Sequence, residues 1–419
     1  MSQKKVVVIG GGVVGLCTAY YLSQEGHQVT VVDKSKLNSG ASHVNAGYLT
    51  PSHIIPMAAP GMVSKGFRWM FKASSPFYIK PRLDSDLIRW GIQFMKSCTP
   101  AHVQRSMKAI LDINLLSKAL YLEMQKNAHF DFHLETKGLL MAFKTAKAEK
   151  EEAEVVAQAK NLGLKIRLLS PEEVLKKQPG IAMDIAGAYW YESDAHSTPE
   201  LFMQNLIRVL KEKGVQFILE QEVSHFKLKK DQRIQTVHTK EQEILTDEVV
   251  IASGAWSESL VKQLGIRLSV QAGKGYRLNL NQPTAITLPA ILLEAKVAVT
   301  PMQGFTRFGG TMELSGLNHK INSKRVSAIA QAATAYYPQV QVTQEEIEHV
   351  RCGLRPLSPD GLPSIGRHSK CKNIVLATGH SMMGWSLGPA TGKLVSQLIS
   401  DQETSMKIDH FSPERTYGS

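Results

Sequence analysis

The chain has 419 residues, which is too long for one ordinary hydrophobic core, so we expect two domains. Hydrophobic residues make up 43% and charged residues 21% of the sequence, proportions that are typical of a globular protein. No apolar run reaches the length of about 20 residues that spans a bilayer, so we expect no membrane-spanning helix. The formal net charge of +12 would suit a polyanionic partner, but no nucleic-acid-binding motif accompanies it, and we expect no nucleic acid.

The four cysteines, Cys17, Cys98, Cys352 and Cys371, form neither a CxxC pair nor a metal-ligand spacing. We therefore expect reduced thiols and no metal site. The first motif begins near residue 5, which leaves no room for a cleaved signal peptide. These features predict a soluble protein or one that lies peripherally on a membrane.

The first predicted element is a β-branched strand that ends in the run Gly10-Gly-Gly12-Val-Val-Gly15 and leads into an apolar helix. A second strand then ends in Asp33. This order of strand, glycine turn, helix and strand is typical of a dinucleotide-binding unit. The glycines allow a tight turn, a close approach of the backbone to a pyrophosphate and close packing of the helix, and the acid accepts from a ribose hydroxyl. The alternative is an ordinary βαβ unit with a solvated Asp33. The binding candidates in this unit are Gly10, Gly12, Val13, Val14, Gly15, Asp33 and Lys34.

Between Asp33 and Asp84 the sequence contains no acidic residue. This stretch interleaves basic and aromatic side chains, namely Lys34, Lys36, Lys65, Phe67, Arg68, Trp69, Phe71, Lys72, Phe77, Tyr78, Lys80 and Arg82. Such a pattern suits the headgroup region of an anionic membrane. It equally suits a loop that covers an active site and has a solvated basic rim.

The remaining elements follow from periodicity and flanking residues. Predicted helices cover residues 84–98, 101–127, 145–162, 198–213, 322–336 and 385–400. Predicted strands cover 139–143, 187–191, 215–219, three short runs within 222–245, then 248–251, 269–280, 289–310 and 373–379. Segments of the nucleotide unit lie at both ends and in the middle of the chain, so we expect two interwoven domains.

Five further motifs occur in a fixed order: Ser42-His-Val-Asn45-Ala-Gly47, Ile251-Ala-Ser-Gly-Ala-Trp256, Gly353-Leu-Arg-Pro356, Pro359-Asp-Gly-Leu-Pro363 and Gly379-His380. Together with the N-terminal glycines, these motifs resemble the FAD-dependent D-amino acid oxidase superfamily, and most of all its bacterial D-amino acid dehydrogenases. The resemblance extends from Lys5 to about Ile399. It implies an α/β fold in which a Rossmann-like FAD-binding domain is interwoven with an α+β substrate domain on an antiparallel or mixed sheet.

The resemblance also implies domain boundaries and cofactor contacts. The FAD-binding domain would comprise residues 1–52, 193–266 and 350–419, and the substrate domain residues 53–192 and 267–349. In related sarcosine oxidases a cysteine attaches the flavin, but that position falls on Gly353, next to Cys352, so we expect non-covalent FAD. Beyond the N-terminal unit, the cofactor-binding candidates are Ser42, Asn45, Ala46, Gly47, Val223, Ser253, Gly254, Trp256, Gly353, Gly379, His380, Met383 and Gly384. Gly384, Gly388 and Gly392 would share one face of the last helix, whose N-terminus would face the flavin.

The implied reaction is the oxidative deamination of a D-amino acid to the 2-oxo acid and ammonia, with hydride transfer to flavin N5. Arg355 is the candidate clamp for the substrate carboxylate, since a guanidinium binds that group with two parallel hydrogen bonds. His380 and Tyr276 are the other catalytic candidates, and Tyr48 is a weaker one for the pocket wall. A structural role is the alternative for His380, and a surface ion pair is the alternative for Arg355.

The electron acceptor is expected to be a quinone, and oxygen is the alternative. The reduced thiols favour the cytoplasm, where the protein would contact the inner membrane peripherally. Three alternatives remain open. The substrate could be D-proline, a hydroxyproline or another cyclic or N-substituted amino acid. The chain could be an L-amino acid deaminase that lacks an anchor segment, or a flavoprotein associated with RNA.

Overall fold

A computed structural model describes residues 2–64, 77–126 and 130–418 of the chain. The strands, in chain order, are β1 (Lys5–Ile9), β2 (Gln28–Asp33), β3 (Tyr48–Leu49), β4 (Phe77–Ile79), β5 (Leu134–Glu135), β6 (Leu139–Phe143), β7 (Ile166–Leu169), β8 (Gly187–Tyr191), β9 (Ala195–Ser197), β10 (Gln216–Leu219), β11 (His225–Leu228), β12 (Ile234–His238), β13 (Glu243–Leu245), β14 (Glu248–Ile251), β15 (Gln271–Leu280), β16 (Ala290–Leu292), β17 (Val297–Met302), β18 (Phe305–Leu314), β19 (Arg351–Leu357), β20 (Ser364–His368) and β21 (Cys371–Thr378).

The α-helices are α1 (Val13–Gln24), α2 (Ser85–Ser97), α3 (Pro100–Lys126), α4 (Ala146–Asn161), α5 (Pro171–Lys177), α6 (Pro199–Glu212), α7 (Ser257–Lys262), α8 (Ser323–Tyr336), α9 (Gln344–Glu348) and α10 (Gly388–Ile399). Five of these helices begin where the sequence supplies a side-chain cap. Asp84, Thr145 and Asn322 accept hydrogen bonds from backbone N–H groups in the first turns of α2, α4 and α8. Ser170 and Thr343 each form a capping box with a glutamate three residues later.

The glycine motif lies in a six-stranded sheet with the order β10-β2-β1-β14-β21-β20, which we call the parallel sheet. All neighbouring strands run parallel except β20, which is antiparallel to β21. The central strand β1 is apolar on both faces because both faces are covered. Val6 and Val8 pack against the layer of α1, α3, α6 and α10, whereas Val7 and Ile9 pack toward the three-stranded sheet β11-β12-β13.

The second layer is a nine-stranded mixed sheet with the order β19-β15-β18-β17-β16-β6-β8-β7, which we call the large sheet. The short strand β4 joins it by pairing in parallel with β18. Helix α8 packs on one face, and α2 and α4 contribute to the apolar clusters on the other face. A small sheet, β3-β9-β5, links the chain segments that pass between the parallel sheet and the large sheet.

The fold class and the interwoven arrangement agree with the sequence analysis. Two elements show where the sheets divide the chain differently from the predicted domain boundaries. Strand β19 pairs with β15 and so belongs to the large sheet. Helix α3 packs against the parallel-sheet side, where the Tyr121 hydroxyl donates to the Trp385 carbonyl at 2.8 Å. The boundaries themselves stay a proposal.

The last helix begins at Gly388, not at 385 as the periodicity predicted. Residues 384–387 form turns, and Leu387, which has a ψ of 0°, is the N-cap of the helix. Pro389 lies in the first turn of the helix, where its missing N–H costs nothing. Gly384 therefore lies in the turn before α10, so the predicted stripe of three glycines on that helix reduces to two.

Candidate active site

A cavity of about 2350 Å³ runs from the glycine turn of β1 across to β19 on the large sheet. Its walls come from the edge of the parallel sheet where β1, β2 and β14 end, and from one face of the large sheet. Pockets that hold ordinary small ligands have volumes of about 300–1,000 Å³, so this cavity is more than twice as large. A site of this size suits a dinucleotide with a substrate beside it.

The glycine turn is packed too closely to accept side chains. A Cβ on Gly15 would lie 1.8 Å from the Gly10 carbonyl oxygen, and a Cβ on Gly10 would lie 2.5 Å from the Ala252 carbonyl oxygen. Gly10 also has a φ of 110°, a conformation that glycine adopts most readily. The turn thus holds β1, α1 and the end of β14 together, as the motif predicts.

The N-terminus of α1 opens onto the cavity. Its N-cap is Gly12, which provides no side-chain cap. The Ser42 hydroxyl accepts from the Val13 N–H at 2.9 Å and brings the second cofactor motif to the same place. The positive end of the helix dipole and the backbone N–H groups of this first turn fit a diphosphate.

Asp33 lines the cavity at the end of β2, and its carboxylate accepts from the Gly11 N–H at 2.7 Å. The Lys34 ammonium lies 3.8 Å from the centre of the Trp256 ring, so the two predicted residues contact each other. Val223 lines the same region of the cavity. Ser253 and Gly254, in the turn after β14, are also lining residues.

The segment 41–47, which we call the cofactor loop, crosses between the two sheets. Asn45 shapes it by accepting from the Gly47 N–H at 2.8 Å. Gly47 has a φ of 73°, and a Cβ there would lie 2.1 Å from the Ser197 carbonyl oxygen. Ala46 lines the cavity. A Cβ on Gly353 would lie 2.3 Å from a methyl group of Val44, so the loop lies directly on β19.

The residues present therefore fit FAD: an open helix N-terminus for the diphosphate, an acid at the end of β2, and a glycine-floored groove that continues to the large sheet. Gly353 has no side chain through which a flavin could be attached. The neighbouring Cys352 also borders the cavity, but it packs against the cluster on the α8 face of the large sheet, its thiol donates to the His319 carbonyl, and burial raises the pKa of the thiol. Both features support non-covalent binding.

Arg355 projects from β19 into this cavity. The guanidinium lies over Gly275 of β15, where a Cβ would come within 2.0 Å of Nη1. Nη1 donates to the Thr311 carbonyl at 3.0 Å, and among the described residues no carboxylate pairs with this side chain. Burial lowers the pKa of Arg355 to about 10, so the group keeps its charge at neutral pH. A cation that is partly desolvated and has no counterion is prepared to bind an anion.

The carbonyl that accepts from Arg355 belongs to a bulge. Between Lys274 and Tyr276 of β15, strand β18 contains one extra residue. Within this bulge Thr311 has a φ of 72°, which is rare for a β-branched residue and costs conformational energy. The bulge turns the Thr311 carbonyl toward the guanidinium.

His380 lines the cavity but is itself buried, and its Nε2 lies 2.9 Å from the Thr391 hydroxyl of α10. Burial lowers the pKa of His380 to about 3, so the imidazole is neutral. This contact holds the turn after β21 against α10. Gly379, which has a φ of 74°, supplies the turn that precedes it, and Met383 and Gly384 follow along the cavity wall.

Tyr276 is not brought to the site, which corrects the prediction that it is catalytic. Its hydroxyl donates to Glu313 at 2.9 Å, and its ring belongs to the cluster on the α8 face of the large sheet. Residues alternate across a strand, so Tyr276 and Lys274 face away when Gly273 and Gly275 face the cavity. Tyr48 does line the cavity, and its hydroxyl donates to the Ala290 and Val299 carbonyls.

Sequence reasoning missed three features of the site. Gly275 makes room for the clamp arginine. Met312 lines the cavity beside it. Arg307 is fully buried and donates to the carbonyls of His43 and Asn45 in the cofactor loop, at 3.2 and 2.6 Å. An arginine in the middle of a predicted strand was the one signal available, since such a residue must have buried partners.

The acid-free stretch is only partly described. Lys65, Phe67, Arg68, Trp69, Phe71 and Lys72 lie outside the described residues. Of the others, Arg82 is engaged within the protein: it pairs with Asp84 at 2.8 Å and donates to the Leu314 carbonyl. The Arg325 guanidinium lies 4.9 Å from the Tyr78 ring centre. Arg82 and Tyr78 therefore stabilise the fold around β4 and β18.

All four cysteines are free, and the described residues contain no cluster that could hold a metal ion. In the same part of the chain, none of the helices combines the length and apolar character needed to cross a membrane.

A glycine-rich dinucleotide turn beside a mixed sheet that presents an arginine is typical of an enzyme that binds a dinucleotide cofactor together with a small anionic substrate. The family model described as FAD dependent oxidoreductase matches residues 5–398, and the chain belongs to this family. The predicted family, the enzyme class and the FAD cofactor are thereby confirmed.

Comparisons with individual proteins agree with this family assignment. The chain is similar to a D-amino acid dehydrogenase of Neisseria meningitidis, with 32% identity over 418 residues, covering 98% of this chain and 99% of the relative. A D-amino acid dehydrogenase of Vibrio vulnificus is 30% identical over 408 residues, covering 96% and 97%. The crystal structure of glycine oxidase from Geobacillus kaustophilus superimposes with a TM-score of 0.77 at 23% identity and covers 99% of both chains, which shows a shared fold.

Proposed function

We propose that this protein oxidises D-amino acids to 2-oxo acids and ammonia, using non-covalently bound FAD. The observation that carries the proposal is Arg355, a charged guanidinium in the cavity with no carboxylate partner among the described residues. The relatives named D-amino acid dehydrogenase support the choice of substrate.

When bound, FAD accepts the hydride from the substrate Cα. Arg355 binds the substrate carboxylate with two parallel hydrogen bonds, which fixes the Cα relative to the cavity wall. Lysine could not replace it, because a single ammonium does not match the two oxygens. His380 is neutral and bonded to Thr391, so it holds the wall in place without exchanging a proton. No base is needed when the substrate amine enters in its neutral form. Loss of the Cα hydride leaves an imine, and water then hydrolyses the C=N bond to give the 2-oxo acid and ammonia.

The experiment is anaerobic bleaching of the flavin by a panel of D-, L- and cyclic amino acids. We expect D-amino acids to bleach the flavin rapidly and their L-enantiomers to do so slowly or not at all. Preferential bleaching by proline or hydroxyproline would favour a cyclic substrate. Bleaching by L-amino acids alone would contradict the proposal.

We further propose that the electrons pass to a quinone and that the protein contacts an anionic membrane from the cytoplasm. The support comes from α2, where Ile88, Ile92 and Met95 lie on one face and are 45–55% exposed. The same three side chains line the outer part of the cavity, so the apolar face continues to the site. Co-sedimentation with anionic but not neutral vesicles is expected. Formation of hydrogen peroxide at the rate of substrate loss would contradict the quinone.

A further inference from the structure

The clamp arginine has apolar neighbours on its own face of the large sheet. Gly273 and Gly275 of β15 face the cavity side together, two residues apart. A Cβ on Gly275 would meet the Arg355 guanidinium at 2.0 Å, whereas a Cβ on Gly273 would meet Met312 Sδ at 2.5 Å and Leu357 Cδ1 at 2.6 Å. The guanidinium and these two apolar side chains are therefore adjacent on one surface.

The bulge of β18 is the reason that Met312 reaches this surface. Lys274 pairs with Glu313 and Tyr276 with Gly310, so Thr311 and Met312 together lie opposite Gly275. Thr311 presents its carbonyl to Arg355, and Met312 presents its thioether to the same side. One irregularity in the strand thus supplies both the support of the clamp and the residue beside it.

Met312 belongs to an apolar cluster with Trp90, Leu314 and Leu357, each less than 9% exposed, against which Met57 and other half-buried side chains pack. Met57, Trp90 and Met312 line the cavity. The one polar atom of the Trp90 ring is satisfied, because Nε1 donates to the Leu357 carbonyl at 2.8 Å. This wall therefore presents carbon and sulfur to the cavity.

The charged groups that the described part of the chain places near this wall have partners elsewhere. Lys274 and Glu313 face the opposite side of the sheet, where their charged atoms are 3.5 Å apart. Arg82, which donates to the Leu314 carbonyl at the edge of the cluster, is paired with Asp84. Arg355 is itself taken by the substrate carboxylate in the proposed function.

We propose that this wall selects D-amino acids with apolar side chains, and that Met312 is its specificity-determining residue. The inference rests on the proposed function, since Arg355 must hold the carboxylate. A side chain that ends in a carboxylate would lose its hydration against carbon and sulfur without gaining a partner. The loss of one methylene contact in a hydrophobic pocket already costs about 10–200-fold, and the burial of an unpaired charge costs more. We therefore expect D-leucine, D-methionine and D-phenylalanine to exceed D-aspartate and D-glutamate at least tenfold in kcat/KM.

The cavity also extends in the other direction, toward α4, where Glu151 and Glu152 contribute to its lining. Glu152 accepts from the Tyr191 hydroxyl at 2.6 Å. A substrate whose side chain lay in this direction would meet carboxylates. Preference for D-lysine or D-arginine is therefore the result expected if the side chain does not face Met312.

The test measures kcat/KM of the FAD-loaded enzyme for apolar, acidic and basic D-amino acids. Met312→Lys would place a cation on the wall, and we expect the ratio of acidic to apolar substrates to rise at least tenfold. Met312→Leu preserves the apolar surface and is the matched control, which should keep the wild-type order. If Met312→Lys does not fold, the kcat/KM values of the wild type for the three substrate classes still test the inference.

A wild-type preference for acidic or basic substrates, or equal rates with all classes, would overturn this inference and leave the proposed function intact. An unchanged ratio in folded Met312→Lys would do the same. If no D-amino acid reduces the flavin, the proposed function fails first, and the inference fails with it.

Discussion

At the scale of single residues, the site depends on the pairing of a glycine with an arginine. Gly273 and Gly275 alternate with Lys274 and Tyr276 along β15, and the two glycines leave the space that the Arg355 guanidinium and Met312 occupy. The absence of a carboxylate partner among the described residues leaves the guanidinium available to a ligand. Tyr276, which follows Gly275 in β15, lies on the opposite face of the sheet, where its hydroxyl donates to Glu313.

Gly275→Ala should displace the clamp while the protein remains folded. The added methyl group meets the far end of a flexible side chain, which can move, and Gly275 lies in an extended strand without a positive φ. We expect a higher KM for amino acids with FAD still bound. Steady-state kinetics with a flavin absorption spectrum measure both quantities. A KM equal to that of the wild type would show that the guanidinium does not lie over Gly275.

At the scale of elements, the cofactor loop is held from three sides. Ser42 attaches it to α1, Gly353 of β19 lets Val44 pack closely, and Arg307 of β18 binds two of its carbonyls from behind. Arg307 is anchored in turn by Asn279 at 3.0 Å and by Glu200 of α6. The loop therefore depends on α1, which follows the first strand of the parallel sheet, and on two strands of the large sheet.

Arg307→Ala should weaken FAD binding at least tenfold, because charged hydrogen bonds contribute about 1.5–3 kcal/mol each and the loop loses two. The measurement is the Kd for FAD from flavin fluorescence. The melting temperature of the apoprotein separates loss of binding from loss of folding. Arg167→Ala, which removes a mainly exposed arginine at the far edge of the large sheet, is the control and should leave the Kd unchanged. A wild-type Kd in Arg307→Ala would contradict the role of this residue.

At the scale of the whole molecule, burial places several histidines where they cannot be charged. The pKa values of His196 and His380 fall to about 3, and that of His53 to about 4, all because of desolvation. The unfolded chain binds protons at these positions below a pH of about 6.5, whereas the folded chain does not until the pH is much lower. Each of these histidines therefore lowers the free energy of unfolding as the pH falls from about 6.5 toward the pKa of the folded state.

His380→Gln should reduce the loss of stability on acidification. Between pH 7.5 and 5, His380 costs the wild type about 2 kcal/mol, a penalty that glutamine does not carry while it can still bond to Thr391. Melting temperatures of wild type and variant at the two pH values measure the difference. His349→Gln, at an exposed position on the turn after α9, is the control and should follow the wild type. Parallel pH dependence of wild type and His380→Gln would contradict the assignment.

The sequence predicts the elements of this molecule better than it predicts which faces they present. Strand and helix signals are local, so the glycine unit, the helix near 323–336 and the strand before Gly379 appear where they were expected. Alternation along β15 shows that Gly275 and Tyr276 face opposite ways but not which of them faces the cavity. That choice is made by pairing with β19 and by the bulge in β18, which are contacts between distant parts of the chain. The same holds for α3, whose apolar periodicity does not reveal that it packs against both the parallel-sheet side and the large sheet.

The most direct test of the central claim, that Arg355 holds the substrate carboxylate beside FAD, is the apparent Kd of a D-amino acid in rapid anaerobic reduction of the flavin. Loss of a bidentate, charge-assisted contact in Arg355→Ala should weaken substrate binding by about 2–4 kcal/mol, with FAD retained. Arg355→Lys should recover only part of this, because it keeps the charge but not the paired geometry. Arg167→Ala again serves as the control. An apparent Kd in Arg355→Ala that equals the wild-type value would contradict the account.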